Sequence, residues 1–296
     1  MKLLDAVRRL FQSFLVEPLR RIDREQREYM AGERSRRPDG KVVVVLITAA
    51  VVLTLQNYFG GAGTLDLVAD LLDGGMGTGA YGMDAAASSW NDRLANRIRL
   101  WLNSPRTGQL ASLLYWAGFS FATYFFIPWF VIAVFFRQRL SDYGCKLRGA
   151  FADWWIYVVF FLVMGPLLLW VSTHRHFQLT FPFYRLRPGE PLWPNFWTWE
   201  LAYFVQFIGL EFFFRGFMVH GTKHRFGFYS VFVMMVPYCM IHYGKPMPET
   251  FGAIGAGIVL GFMSLKTRSI WLGAAIHMSV ALSMDFLSMW RKGLFP

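Results

Sequence analysis

Residues 207–219 read FIGLEFFFRGFMV, an apolar stretch interrupted only by Glu211 and Arg215. A charged side chain in hydrocarbon is costly, so such residues usually face a protein interior or a wet cavity and mark a functional site. The two residues are four apart, which places them on one face of a helix. The stretch therefore predicts a membrane-spanning helix that carries part of a polar site.

The composition of the whole chain indicates a membrane protein. Of its 296 residues, 55% are hydrophobic and 17% are charged, whereas soluble domains carry about 25% charged residues. The mean hydropathy is +0.34. The net charge of +11 could suggest nucleic acid, but the basic residues lie in short segments between apolar runs, as the positive-inside rule requires. We therefore expect membrane lipid as a partner and no nucleic acid.

Apolar runs long enough to span a membrane, about 17–25 residues each, recur along the chain. They predict an all-α fold, a polytopic transmembrane helix bundle of about seven spans, the sixth being marginal. The runs cover residues 42–59, 110–136, 154–172, 196–219, 226–243, 251–265 and 270–290. We expect an integral, multi-pass protein of a bacterial inner membrane.

The charge pattern divides the chain into three parts. Residues 1–40 form a basic amphipathic cytoplasmic segment and linker, residues 41–195 the first half of the bundle with an external loop at 60–109, and residues 196–296 the core helices of the site. Basic residues in alternate loops place the amino terminus inside and the carboxy terminus outside. The helix predicted over 1–29 lies either on anionic lipid or on the protein's own cytoplasmic face.

Two histidines extend the polar site. His242 and His277 lie on later apolar runs than Glu211 and Arg215. Each alone is more often a hydrogen-bonded structural residue, and the Glu211–Arg215 pair alone could simply fix helix packing. Since every buried polar group needs a partner, a shared cluster would satisfy all four. Counted from the cytoplasmic side, however, His242 lies nearer the outer face than Glu211 and His277.

The order of these residues resembles the membrane-embedded CAAX-protease and bacteriocin-processing (CPBP, or Abi) family. The family pattern is Glu-Glu-x-x-x-Arg, then Phe-x-x-x-His, then His-x-x-x-Asn. Residues 196–285 offer Leu210-Glu211-x-x-x-Arg215, Tyr238-x-x-x-His242 and His277-x-x-x-Ala281. The resemblance implies an intramembrane endopeptidase that hydrolyses membrane-associated peptides or proteins, with Glu211, Arg215, His242 and His277 as catalytic residues.

The resemblance also suggests a mechanism. Glu211 would act as a general base on a water that His242 also binds, and His277 would donate to the oxyanion. We expect no cofactor; the alternative is a zinc ion held by Glu211, His242 and His277.

Two departures weaken the expectation of activity. Leu210 replaces the first Glu of the family pattern and Ala281 replaces the Asn. Glu249 or Asp285 could support the site in their place. The alternative functions are a catalytically impaired membrane scaffold or immunity protein, and a carrier that uses the intramembrane charges as a relay.

Overall fold

The computed structural model describes residues 12–32, 37–72, 90–105, 107–147, 149–151, 153–187 and 189–294. Within these ranges the protein is all-α, and its only bridge of the β type is an isolated pair between Cys145 and Ser269. The predicted fold class is thereby confirmed. Most of the amino-terminal amphipathic pattern (residues 1–11), the middle of the external loop (residues 73–89) and part of the linker (residues 33–36) lie outside the described residues.

Twelve α-helices are numbered here along the described chain. They are α1 (Glu17–Ala31), α2 (Gly40–Phe59), α3 (Gly63–Leu72), α4 (Trp90–Leu102), α5 (Gly108–Phe130), α6 (Trp154–Val171), α7 (Arg175–Thr180), α8 (Asn195–Glu211), α9 (Gly221–Phe226), α10 (Ser230–Met240), α11 (Met247–Thr267) and α12 (Trp271–Arg291). Short π-helices continue α5 over Val131–Phe136 and α8 over Phe212–His220.

Six helical runs of the described chain are long and apolar enough to cross a membrane, rather than the seven expected. The predicted fifth span, residues 226–243, contains only α10, with 11 residues. At 1.5 Å per residue, α10 is about 16 Å long and cannot cross a hydrocarbon core of about 30 Å by itself. It is the last part of the helical stretch Asn195–Met240, which is long and apolar enough for one span.

The chain reverses direction inside that run. Gly227 has φ 55°, a backbone conformation that residues with a side chain rarely adopt. As a result α10 folds back along the π-helix, and the ring of Tyr238 lies 3.8 Å from the guanidinium carbon of Arg215. Hydropathy alone could not show this reversal, because the residues on both sides of it are apolar.

Close helix packing fixes the centre of the bundle. Gly209 of α8 meets α5, where a Cβ atom would stand 3.2 Å from the Cα of Phe121. Gly257 and Gly261 of α11 approach side chains of α10 in the same way. The aromatic residues of the π-helix are fully buried: Phe212, Phe213, Phe214 and Phe217. This dense packing holds the polar residues of the run in fixed positions.

The described part of the amino-terminal segment packs on one end of the bundle. Arg21 donates a hydrogen bond of 3.1 Å to the carbonyl of Leu265, and Gln26 donates one of 3.0 Å to the carbonyl of Arg225. The basic loops after α9 and α11 therefore share an end of the bundle with α1.

Helix α6 lies at the edge of the bundle. Only 11% of its 18-residue apolar window is buried, against 78% for the run that starts at Asn195. Its described contacts are mainly with α12, to which Tyr157 donates a hydrogen bond of 2.9 Å at the carbonyl of Ala275.

Candidate active site

A cavity of about 740 Å³ lies among the long helices. Most of its wall is apolar and comes from α2, α5, α6, α8, α10, α11 and α12. Its ionisable lining residues are Tyr58, Tyr124, Tyr203, Tyr238, His242, Tyr243, Lys245, Glu249 and His277. A concave, mainly apolar pocket with a few convergent polar groups is the usual form of a binding or catalytic site.

Glu211, Arg215 and His277 come together beside this cavity. Nη1 of Arg215 lies 3.0 Å from Oε1 of Glu211, and Nδ1 of His277 lies 2.8 Å from the same oxygen. The side chains of Glu211 and Arg215 are at most 1% exposed. The N–H groups of Arg215 and His277 are not aligned on the Glu211 carboxylate as hydrogen bonds, so the attraction is chiefly electrostatic. The carboxylate thus neutralises the guanidinium and fixes the ring of His277 from behind.

Gly273 makes this arrangement possible. It lies one turn before His277 on α12, and a Cβ atom there would collide with Oε2 of Glu211. A glycine lets the carboxylate approach the α12 backbone closely. Sequence reasoning did not single out Gly273, since one glycine at the start of an apolar run carries no visible signal.

Tyr238 links the elements of the site. Its hydroxyl lies 2.8 Å from Nε2 of His277, and its ring is covered by the guanidinium of Arg215. The ring of His277 also stacks on Phe207, with centroids 5.2 Å apart and planes 9° apart. Both nitrogens of His277 are therefore engaged, one by Glu211 and the other by Tyr238.

His242 reaches the same cavity from a different direction. It lies in the turn after α10, and its Nδ1 is 2.9 Å from the carbonyl oxygen of Tyr238. Since a carbonyl only accepts, Nδ1 donates, and the lone pair of the ring is on Nε2. Burial, with Lys245 nearby, lowers the pKa of His242 to about 3. His242 lies at the same cavity as His277 because α10 is short and returns beside the π-helix.

The two predicted supporting residues are placed differently. Glu249 lines the cavity, where one oxygen lies 2.7 Å from Nζ of Lys245 and the other, Oε2, is buried and has no hydrogen-bond partner among the described residues. Asp285 lies on α12 beside Glu200 of α8, and both carboxyl groups are 1% exposed. Glu249 is therefore near the imidazoles, whereas Asp285 forms a separate carboxyl pair.

Both departures from the family pattern face the cavity. Leu210 and Ala281 are among its lining residues. Glu211, by contrast, is fully buried behind His277. The wall is thus apolar at the two positions where the family pattern has a carboxylate and an amide.

The zinc alternative does not fit this geometry. Oε1 of Glu211 already faces a guanidinium, and both nitrogens of His277 have protein partners. In the part of the chain that the structure describes, no group of three or more His, Cys, Asp or Glu side chains is arranged to hold a metal ion.

Fold and site together define a multi-pass, all-α membrane protein with a buried carboxylate, guanidinium and two imidazoles grouped at an internal cavity. Residues 191–283, just under a third of the chain, match a family model described as type II CAAX prenyl endopeptidase Rce1-like. The resemblance to the CAAX-protease and bacteriocin-processing family is thereby confirmed over this segment, which contains the whole cluster. No curated protein and no solved structure gave a significant match to the chain.

Proposed function

We propose that the protein is an intramembrane endopeptidase that hydrolyses a peptide bond inside the bundle. The observation that carries the proposal is the convergence on one cavity of His242, from the turn after α10, and His277, from α12. His277 is held there by Glu211 and Tyr238. The family match over residues 191–283 supports the same class of reaction.

The neutral His242 can bind and orient a water through the lone pair of Nε2, since Nδ1 donates to a backbone carbonyl. A pKa lowered to about 3 makes its ring a weak base. Glu249 offers a second acceptor in the cavity through its unpartnered Oε2. The burial of Glu211 behind His277 favours a positioning role for it, and its role as the base stays a prediction.

Stabilisation of the oxyanion falls to His277 and Tyr238. The Nε2 atom of His277 contacts the Tyr238 hydroxyl, and both residues line the cavity. In the tautomer of His277 that carries its hydrogen on Nε2, the ring donates to the hydroxyl oxygen of Tyr238, so the hydroxyl hydrogen is free to reach the oxyanion. One such donor is worth about 3–4 kcal/mol in the transition state.

The substrate we propose is a peptide anchored in the lipid by a hydrocarbon chain. The apolar part of the cavity wall includes Phe160, Met164, Leu168, Phe177 and Met284, which can receive such a chain by burying its methylene groups. The matching family model is that of a CAAX prenyl endopeptidase, which agrees with a lipid-anchored peptide. We place the protein in a bacterial inner membrane.

The test is cleavage by the full chain in proteoliposomes. The probe is a farnesylated, fluorescently labelled CAAX peptide, compared with the same peptide without the farnesyl group. We expect His242→Ala and His277→Ala to abolish cleavage while the protein still folds. The control is His176→Ala, a change in an exposed residue of α7, which should leave the rate unchanged. Full cleavage by both cavity variants would refute the proposal.

A catalytically impaired scaffold is the second candidate, favoured by the apolar side chains of Leu210 and Ala281 at the cavity wall. The double variant Leu210→Glu with Ala281→Asn separates the two candidates. If the natural chain cleaves no peptide and the double variant does, the scaffold is correct. If the natural chain is active and the double variant is no faster, the endopeptidase proposal stands.

A further inference from the structure

Gln206 is a buried polar residue that the mechanism above does not use. It lies on α8, a little over one turn before Glu211, and it lines the cavity. The residue is only 4% exposed. Its Oε1 atom is buried, and the described part of the protein offers it no hydrogen-bond partner. A buried amide oxygen without a partner is destabilising, so the presence of Gln206 in an apolar wall needs a reason.

A second cavity-lining glutamine has a side-chain amide that is hydrogen-bonded at both ends within the bundle. Gln56 of α2 donates a hydrogen bond to the hydroxyl of Thr123 and accepts one of 3.1 Å from the hydroxyl of Ser120. Both ends of that amide are satisfied by α5. The contrast indicates that the carbonyl end of Gln206 is not held in the wall by an internal hydrogen bond, and that Oε1 is left to accept one from a ligand.

The chemistry of Gln206 restricts what that ligand can be. A primary amide both donates and accepts, which matches the N–H and C=O groups of a peptide unit. The cavity wall around it is largely apolar, and the ammonium group of Lys245 is paired with Glu249. Among the described lining residues, an anionic head group would find no free lysine or arginine. The next residue, Phe207, stacks on His277, so a peptide unit bound by Gln206 would lie close to the imidazole.

We propose that Gln206 is a substrate-binding residue, whose side-chain amide hydrogen-bonds the backbone of a peptide in the cavity and aligns it with His277. The inference rests on the proposed endopeptidase function and names the part of the substrate that the site recognises.

Stability separates this role from a structural one. Gln206→Met removes the buried, unpartnered amide oxygen and keeps an apolar stem of similar length, so the thermal midpoint should stay the same or rise. Gln56→Met, the matched control, removes the hydrogen-bond partner of Thr123 and Ser120 and should lower the midpoint. A lowered midpoint for Gln206→Met would show that the residue is structural and would overturn the inference.

Binding supplies the decisive measurement. The probes are two farnesylated peptides that carry a fluorescence quencher: one has normal amides, and the other has esters in place of the amides around the scissile bond. Quenching of tryptophan fluorescence in the full protein reports the dissociation constant of each. We expect the natural chain to bind the amide peptide about tenfold more tightly, and Gln206→Met to bind both equally.

Each other outcome is also informative. Retained preference for the amide in Gln206→Met, or no binding of either peptide to the natural chain, would overturn the inference. Loss of the preference in Gln206→Met without any cleavage by the natural chain would support peptide binding by Gln206 while refuting the endopeptidase function.

Discussion

Replacement of Arg215 by methionine should destabilise the protein strongly. The side chain of Arg215 is fully buried, 3.0 Å from Oε1 of Glu211, and its guanidinium covers the ring of Tyr238. Arg215→Met keeps most of the apolar stem but removes the guanidinium beside Glu211, which leaves the imidazole of His277 as the neighbour of the carboxylate among the described ion pairs.

The expected magnitude follows from this geometry. Two unit charges 3.0 Å apart attract each other by about 5–6 kcal/mol at an effective dielectric constant of about 20. Much of that offsets the cost of burying both ions, so the net value of the pair is small, but removal of one partner leaves an unpaired buried charge. Such a loss typically costs about 3–5 kcal/mol. The double variant Arg215→Met with Glu211→Gln should recover a large part of it.

The assay is reversible unfolding in mixed micelles, followed by circular dichroism. The matched control is Arg27→Met, since Arg27 forms an ion pair of 2.9 Å with Asp23 on the surface and the two side chains are 80% and 53% exposed. We expect a change below about 1 kcal/mol there. The reasoning fails if Arg215→Met costs no more than Arg27→Met, or if the double variant is less stable than Arg215→Met alone.

Three further results are expected. Gly273→Ala should displace Glu211, because the new methyl group collides with Oε2. The rate of cleavage should fall at least tenfold, and a wild-type rate would show that the site does not need the space left by Gly273. Tyr238→Phe removes the hydroxyl 2.8 Å from His277 and should lower kcat at least tenfold, whereas a change confined to KM would argue against an oxyanion role. Asp39 caps α2, and although burial opposes the shift, its hydrogen bonds lower its pKa below 3.8. Asp39→Asn should therefore lower the free energy of unfolding at pH 7. The free energy of unfolding of the natural chain should itself fall as the pH drops below about 4, and that of the variant should fall less. Denaturation of both proteins at pH 7 and below about pH 4 measures the difference.

The membrane bundle was largely predictable, because long apolar runs have few alternatives to the helix in lipid. The difference between the roughly seven spans expected and the six candidate spans in the described chain has a physical origin. A backbone reversal at Gly227 between two apolar segments changes no hydropathy average, so residues 226–243 looked like an independent span. The described helix of that segment is Ser230–Met240, and it returns beside the π-helix.

The site was only partly predictable. The four-residue spacing of Glu211 and Arg215 predicted their contact, because a helix fixes that geometry. The contact with His277 required the packing of α8 against α12, which depends on the space left by Gly273. The polar residues Gln206 and Glu200 also lie in apolar runs. The sequence pattern does not indicate that Gln206 lines a cavity and that Glu200 pairs with Asp285.

Helix α6 lies between the cavity and the surrounding bilayer. Most of its apolar surface faces outward, while Phe160, Met164 and Leu168 on its other side line the cavity. At this position a single helix separates the interior of the cavity from acyl chains. Lipids of different length change the tilt that such a weakly packed helix prefers. We therefore expect the width of the cavity on that side to change with membrane thickness.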